Sequence, residues 1–253
     1  MQGAAGVAAL VLLEWCCGLV ALAAWTQSWG VVRRGHFRIV AWSALGLGAL
    51  GYLAARAEPV PQPAALAPGI GALAYLTAQF VRSDAVGALT GGVAGAAGAA
   101  ALAAFATTLD SLGAPVAVAA LLAGALLLGG VTNGMLLGHW YLNQPGLKPW
   151  ALARLTTLTL AACGLALGLG LVSAAALVRA DTSAVTFGLP GASGGPFVFL
   201  LWCALVVFTA AVVWMARRCV AIRSIQSATG LYYVALLTAG VAEFVVRYLT
   251  VNA

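Results

Sequence analysis

The sequence predicts an all-α integral membrane protein, a polytopic bundle of about eight transmembrane helices. Three observations support this fold class: a nearly charge-free composition, long apolar segments, and an uneven distribution of basic residues between them. The chain has 253 residues, of which 63% are hydrophobic and 7% charged, and its mean hydropathy is +1.04. A soluble domain of this length could not cover its surface with so few charges.

Eight segments are long enough to cross a bilayer, since a transmembrane helix needs roughly 20 mainly apolar residues. They cover residues 4–26, 35–56, 64–82, 85–108, 114–142, 150–179, 195–217 and 224–248. The connecting segments are short, so we expect residues 1–253 to form a single membrane domain. No separate water-soluble domain is expected within these residues. The first residues lack a basic region and Glu14 interrupts the first apolar run, so no cleavable signal is predicted.

The basic residues predict the orientation of the bundle. One side of the membrane receives Arg33, Arg34, Arg38, Arg82, Lys148, Arg154, Arg217, Arg218 and Arg223, and the other receives Arg56, Arg179 and Arg247. Short loops rich in Lys and Arg stay in the cytoplasm. We therefore expect a bacterial cytoplasmic (inner) membrane protein with both termini outside. The net charge of +6 reflects this topology and does not indicate nucleic-acid binding.

The chain also divides into two possible four-helix halves, residues 1–110 and 111–253. Similar features follow the first helix of each half: aromatic residues, a polar turn, an arginine and then a Leu-Gly-Leu-Gly segment. A duplication of four helices would be parallel, and chance similarity in a Gly/Ala/Leu-rich chain is the alternative. Glycines four residues apart predict close helix packing at Gly87, Gly91 and Gly95, at Gly130, Gly134 and Gly138, and at Gly164 and Gly168.

Glu14 is the strongest candidate for chemistry. It lies about ten residues into the first helix, hence roughly 15 Å deep at 1.5 Å per residue. An ionisable group at that depth is costly and suggests a functional site, here proton transfer. The alternative is a protonated carboxyl group that hydrogen-bonds to a neighbouring helix.

Glu243 and Arg247 lie four residues apart in the last helix, on the same face. Their spacing predicts a local ion pair near the outer interface. A role in an outer quinone site or partner site is the alternative.

The most polar and aromatic cluster follows the fifth helix. His139, Trp140, Tyr141 and Asn143 lie there, and Asn133 lies one to two turns deeper. A histidine beside aromatic rings can hydrogen-bond to a quinone carbonyl or titrate, so these five residues form a candidate quinone-binding site. The alternative is a set of interface anchors in the headgroup layer.

Tightly bound cofactors are not predicted. His36 and His139 are the only histidines, so a single bis-histidine haem b is conceivable and a second is not. Otherwise His36 is expected at the interface, near lipid phosphates. The cysteines (Cys16, Cys17, Cys163, Cys203 and Cys219) show no metal-type spacing, and no metal site is expected.

The closing segment Val241-Ala242-Glu243-Phe244-Val245-Val246-Arg247-Tyr248-Leu249 resembles the last helix of the eight-helix membrane anchor subunits of the DMSO reductase and polysulfide reductase type. The helix count, the possible halves and the outward termini are also similar. The segment Gly138–Pro145 matches no motif of that family. The resemblance implies a subunit that binds exchangeable quinone without haem and passes electrons to or from an iron–sulfur partner.

These observations give one leading hypothesis and two alternatives. The leading hypothesis is a quinone-interacting membrane subunit of a bacterial oxidoreductase complex in a respiratory electron-transport chain, in which Glu14 handles protons and partner subunits catalyse the substrate reaction. The alternatives are a small-solute or proton-coupled transporter, and a structural or single-haem cytochrome b-like subunit.

Overall fold

A computed structural model describes residues 3–56, 58–109, 111–144, 146–182 and 194–253. Within these ranges the chain is helical and has no strands, which confirms the predicted all-α bundle. The helices are α1 (Gly3–Gln27), α2 (Arg34–Ala55), α3 (Gln62–Ala78), α4 (Asp84–Ala106), α5 (Ala114–Trp140), α6 (Trp150–Val172), a short α7 (Ala174–Leu177), α8 (Gly194–Ala221) and α9 (Ile225–Asn252).

Among the described residues, seven helices are long and apolar enough to cross a membrane: α1, α2, α4, α5, α6, α8 and α9. The protein is therefore a multi-pass membrane protein. The third predicted span, residues 64–82, corresponds to α3, which has 17 residues and contains Pro68. At 1.5 Å per residue α3 is roughly 25 Å long, less than the bilayer core of about 30 Å, so a count of eight spans is not confirmed.

Proline, glycine and a capping serine define several helix boundaries. Ser83 caps α4 because its Oγ accepts a hydrogen bond from the backbone N–H of Val86 (3.4 Å). Pro115 occupies the first turn of α5, where its missing N–H breaks no helical bond. After α1 the chain turns at Gly30, whose φ of +65° is readily adopted by glycine.

The long helices pack as two rings of four. In the first half α1 and α3 each pack against both α2 and α4, and in the second half α5 and α8 each pack against both α6 and α9. The rings meet mainly where α1 crosses α5, and α1 also contacts α9. α1 and α5 therefore lie at the centre of the bundle, and any group on their facing surfaces is remote from lipid.

The crossing of α1 and α5 depends on glycine. A Cβ atom on Gly18 would lie 1.7 Å from the carbonyl oxygen of Ala125, and one on Gly129 would lie 2.3 Å from the carbonyl carbon of Gly18. The two predicted glycine rows of α4 and α5 also lie in contacts: Gly91 faces Tyr75 and Gly134 faces Tyr232. The prediction was wrong for Gly164 and Gly168, which are exposed and have no atom within 4 Å of a Cβ position.

The basic residues collect at one end of the bundle, which we call the basic end. Parts of three connecting segments meet there, residues 28–33, 79–83 and 141–144. Arg34 pairs with Asp84 (Nε to Oδ1, 2.7 Å), and Gln144 donates to the carbonyl oxygen of Val31 (2.8 Å) and accepts from the backbone N–H of Arg33 (3.0 Å). Arg38 lies 4.8 Å from the ring centre of Phe80.

Both described chain ends lie at the opposite end, which we call the far end. Gly3 and Asn252 line the same surface groove, and the backbone N–H of Asp181 donates to the carbonyl oxygen of Asn252 (2.8 Å). The sequence counts Arg247 among the basic residues on this side of the membrane. In the structure Arg247 does not contribute to the surface charge of this end. Its side chain is 2% exposed and lies inside the bundle. The basic side chains at the two ends of the bundle therefore number nine against two, Arg56 and Arg179.

This asymmetry predicts that the basic end faces the cytoplasm. In a chain with Cys203 and Cys219 replaced by alanine, Thr107→Cys should react with a membrane-impermeant maleimide in intact cells, because the exposed Thr107 follows α4 at the far end. Asn143→Cys, exposed at the basic end, should react only after permeabilisation. The reverse labelling pattern would show that the bundle has the opposite orientation in the membrane.

The α1–α5 crossing gives a second prediction. Gly18→Ala should destabilise the bundle by about 2 kcal/mol or more, since the added methyl meets backbone that cannot move away like a side chain. Gly46→Ala is the matched control in α2, with no atom within 4 Å of the new Cβ. Thermal unfolding of both purified proteins in the same detergent measures the difference, and equal midpoints would contradict the crossing.

Candidate functional site

The central feature of the site is a buried cluster of three charged side chains from α1 and α9, which we call the Glu–Arg–Glu cluster: Glu14, Arg247 and Glu243. Their exposed fractions are 0%, 2% and 1%. Arg247 Nε lies 2.8 Å from Glu14 Oε1, and Arg247 Nη2 donates to Glu243 Oε2 at 3.0 Å. The same Nη2 donates to the carbonyl oxygen of Ala120 in α5 at 2.8 Å.

This geometry extends the prediction for Glu243 and Arg247. Their i, i+4 ion pair is present, as predicted, but it is not a separate contact near the interface. Glu14 shares the same arginine, so one guanidinium joins the two halves of the bundle. The sequence did not predict this pairing because Glu14 and Arg247 are separated by almost the whole chain.

Gly124 of α5 makes room for the cluster. A Cβ atom at this position would lie 2.5 Å from Arg247 Nη2, 2.6 Å from Glu243 Oε2 and 2.7 Å from Glu14 Oε2. The three charged groups therefore occupy the space that the side chain of any other residue at this position would need. Gly124 is a position of the candidate site that the sequence did not indicate, because it falls outside the four-residue glycine pattern.

The charges of the cluster do not balance when both carboxyl groups are ionised. Two carboxylates and one guanidinium would leave one negative charge in a low-dielectric interior, which is strongly unfavourable. One proton on either carboxyl group makes the cluster neutral. Neither oxygen of Glu14 receives a well-aligned hydrogen bond from the described residues, although Arg247 Nε is in contact distance. Either oxygen of Glu14 can therefore carry the proton without losing an existing hydrogen bond.

A second polar group lies toward the basic end. His36 is 1% exposed, and its Nε2 lies 3.0 Å from Asn133 Oδ1. Asn133 also donates to Thr26 Oγ1 at 3.4 Å, and the ring of Trp140 lies 6.2 Å from that of His36. The prediction of His36 as a residue at the lipid interface was wrong. The first turn of α2 points His36 inward, toward α5, where Gly35 leaves room for Trp140.

The five residues of the predicted quinone site are not brought together as one pocket. Asn133 is buried against His36, whereas His139 and Asn143 are exposed. Trp140 Nε1 donates to Gln144 Oε1 (3.0 Å), and the Tyr141 hydroxyl donates to the carbonyl oxygen of Lys148 (2.8 Å). Burial raises the pKa of Tyr141 to about 12, so its hydroxyl stays protonated and keeps its bond to Lys148.

The two histidines do not fit a shared haem. A bis-histidine haem requires both imidazoles to face each other across the iron. His36 faces Asn133 inside the bundle, while His139 is exposed at the end of α5. Among the described residues, no group of three or more His, Cys, Asp or Glu side chains could hold a metal ion.

No family model, no curated protein and no solved structure matches this chain. The resemblance of the last helix to the anchor subunits therefore remains a prediction from the sequence. Glu243 and Arg247 carry that resemblance. Their position in the Glu–Arg–Glu cluster is seen in the structure and does not depend on the resemblance.

The position of Gly124 predicts a sensitive substitution. Gly124→Ala should displace the Arg247 guanidinium and destabilise the protein by about 3 kcal/mol, the scale for breaking a buried ion pair. Gly92→Ala in α4 is the control, since its Cβ would meet no atom within 4 Å. Thermal unfolding measures both.

A double variant tests whether the loss arises from the cluster. Glu14→Gln removes one partner of Arg247. The losses of unfolding free energy in Glu14→Gln and in Gly124→Ala should therefore sum to more than the loss in the double variant. Strict additivity of the two unfolding free energies would mean that Gly124 acts elsewhere.

Proposed function

We propose that this protein is a proton-exchanging integral membrane subunit of a quinone-linked bacterial oxidoreductase complex. The observation that carries the proposal is the Glu–Arg–Glu cluster at the centre of the bundle, joined by contacts of 2.8 and 3.0 Å and almost inaccessible to solvent. A buried cluster that needs one proton to be neutral is suited to hold and release that proton. Glu14 and Glu243 share the exchangeable proton, and Arg247 stabilises whichever carboxyl group is ionised. Removal of either carboxyl group leaves a neutral pair with no proton to exchange.

The connecting segments support a subunit and not a self-contained enzyme. The described loops between the long helices are short, so the substrate reaction requires partner subunits, for which iron–sulfur proteins are the proposed class. Reduction of a quinone takes up protons together with electrons, and the quinone supplies this redox chemistry when bound. The chain would bind the headgroup and manage protons.

For the quinone itself we propose the basic end, at His139. Its imidazole is exposed at the end of α5, where a headgroup can approach from the lipid, and Trp140, Tyr141 and Asn143 follow it in the chain. Asn133 is not part of this surface, because it is committed to His36. The cavity beside Glu243 itself measures about 20 Å³, which is far too small for a quinone ring.

A proton-coupled solute transporter is the second candidate. It is favoured by one observation: Glu14 belongs to the first half of the bundle and Arg247 to the second, so the ion pair could report relative motion of the halves. The close crossing at Gly18 and Gly129 opposes this candidate. Backbones in such direct contact leave little freedom for the halves to rock.

Purification of the tagged chain from its own membranes in mild detergent tests the proposal. Quinone should be found in the solvent extract, and redox subunits with an iron–sulfur signal should co-purify. His139→Ala should lower the quinone content, whereas Gln226→Ala, exposed at the same end, should not. A homogeneous preparation with neither quinone nor redox partner, combined with solute uptake in proteoliposomes, would instead identify a transporter.

Glu14→Gln should reduce turnover of the assembled complex by about tenfold or more while the protein remains inserted and abundant, because glutamine keeps the shape of the carboxyl group but cannot exchange its proton. Asp84→Asn is the matched control. It also removes a carboxylate from an arginine pair, but that pair is partly exposed at the basic end. Normal turnover of Glu14→Gln at wild-type abundance would limit Glu14 to a packing role.

A further inference from the structure

A small cavity with several polar lining residues lies beside the Glu–Arg–Glu cluster, on its far-end side. Its volume is about 20 Å³, and it is enclosed by α5, α6, α7, α8 and α9. Glu243 and Arg247 form one part of its lining. Ser173, Trp202 and Thr250 are among the other lining residues. The cavity thus connects the charged cluster with the turn that follows α6.

Two of its polar groups have no protein partner. Ser173 is 7% exposed and Trp202 is 1% exposed, and in the described part of the chain neither Ser173 Oγ nor Trp202 Nε1 has a hydrogen-bond partner. Buried polar groups are rarely left unbonded, since each costs about 1–3 kcal/mol. The indole of Trp202 is held over Gly170, where a Cβ atom would lie 1.9 Å from Trp202 Cη2.

The cavity matches the requirements of one water molecule. A buried water needs about 10–15 Å³ of accessible volume and two to four polar partners. The volume of about 20 Å³ meets the first condition. A carboxyl group, a guanidinium, a hydroxyl and an indole N–H meet the second.

The far side of the cavity approaches solvent. Thr250 lines it, and the carbonyl oxygen of Thr250 accepts a hydrogen bond from the half-buried Ser111 (2.6 Å). Tyr248 lies two residues before Thr250 in α9. Its hydroxyl donates to the carbonyl oxygen of Asp181 (3.1 Å) at the far-end surface. Only about one turn of α9 therefore separates the cavity from the far-end surface.

The basic side of the cluster is different. Between Gly124 and Thr132 the core of α5 is apolar, with Leu127, Leu128 and Val131 fully buried. Along α1, Glu14 and Thr26 are separated by twelve residues, roughly 18 Å at 1.5 Å per residue. Tyr232, which packs on Gly134, lies roughly 16 Å along α9 from Glu243 by the same measure, and the buried Thr159 of α6 packs on Gly130 between them. A single water cannot connect such distances.

We propose that the cavity is a water-binding site through which the Glu–Arg–Glu cluster exchanges its proton with the far end of the bundle. This proposal rests on the proposed function. The proton leaves the Glu243 carboxyl group as its O–H bond breaks and a new O–H bond forms on the water. The water passes a different proton to Ser173 Oγ as the Ser173 O–H bond breaks, and solvent water at the far-end surface accepts the released proton. The reverse sequence reloads the carboxyl group, so no oxidant or further reactant is needed.

Infrared spectroscopy of the purified protein tests the proposal on the carboxyl group itself. A protonated buried carboxyl group gives a C=O stretch that shifts when its proton is replaced by deuterium. Loss of this band in Glu14→Gln or Glu243→Gln assigns it to the cluster. After rapid transfer to D₂O, the time course of the shift gives the exchange rate of that proton.

Two variants of Ser173 separate the hydroxyl group from the space it occupies. Ser173→Val should slow the exchange by about tenfold, equivalent to about 1.4 kcal/mol in the barrier. Ser173→Thr has the same shape as the valine variant but retains the hydroxyl, so its rate should remain near that of the wild type. Ser43→Val, on the exposed face of α2, controls for loss of a serine elsewhere. Trp202→Phe, which removes the second unpartnered group, should also slow the exchange and serves if the valine variant does not fold.

The outcomes separate the two proposals. A band that is present and exchanges at the same rate in Ser173→Val, Ser173→Thr and Trp202→Phe would overturn the water route while leaving the proton-holding cluster intact. A wild-type protein without any protonated carboxyl band in the cluster would overturn the proposed function. An experimental map at high resolution should show one ordered water within hydrogen-bond distance of Ser173 Oγ, and a dry cavity would reject the site.

Discussion

One guanidinium holds two carboxyl groups in the middle of this bundle, and much of the architecture depends on that arrangement. Arg247 reaches Glu14 on α1, Glu243 on its own helix and a backbone carbonyl on α5. Removing Arg247 would leave a carboxylate uncompensated, and an uncompensated buried charge costs about 3–5 kcal/mol in measured cases. The three central helices are therefore fixed in register by electrostatics, in an interior where the hydrophobic effect between helices is absent.

Glycine provides the space that these contacts require. Gly124 lies where any side chain would overlap the charged groups, and Gly18 and Gly129 let the backbones of α1 and α5 touch. Large side chains occupy equivalent spaces elsewhere, as Trp202 does over Gly170 and Tyr232 does over Gly134. The small residues thus serve two purposes, since some bring backbones together and others admit a ring or an ion pair. The spacing of the glycines in the sequence does not distinguish the two.

Hydrophobic length and charge placement made the fold predictable, because both are properties of the chain alone. They identify the helical bundle and the basic end, and they leave the span at α3 unconfirmed, where the length is marginal and the helix contains Pro68. The site was less predictable. Glu14 is conspicuous as an isolated carboxyl group in an apolar helix, but the sequence contains nothing that pairs it with Arg247. His36 shows the same limit: arginines surround it in sequence, which suggests an interface, while the rotation of α2 turns it toward Asn133.

The two polar groups inside the bundle differ in a way that bears on their roles. His36, Asn133 and Thr26 satisfy one another near the basic end, so that group is complete and adds rigidity where the two halves meet. The Glu–Arg–Glu cluster is incomplete, because it needs one proton and because Ser173 and Trp202 beside it lack partners among the described residues. A satisfied network resists change, whereas an unsatisfied one can accept a proton or a water without breaking existing bonds. Leu127, Leu128 and Val131 are fully buried on α5 between the two groups, so the satisfied network near the basic end does not complete the hydrogen bonds of the cluster.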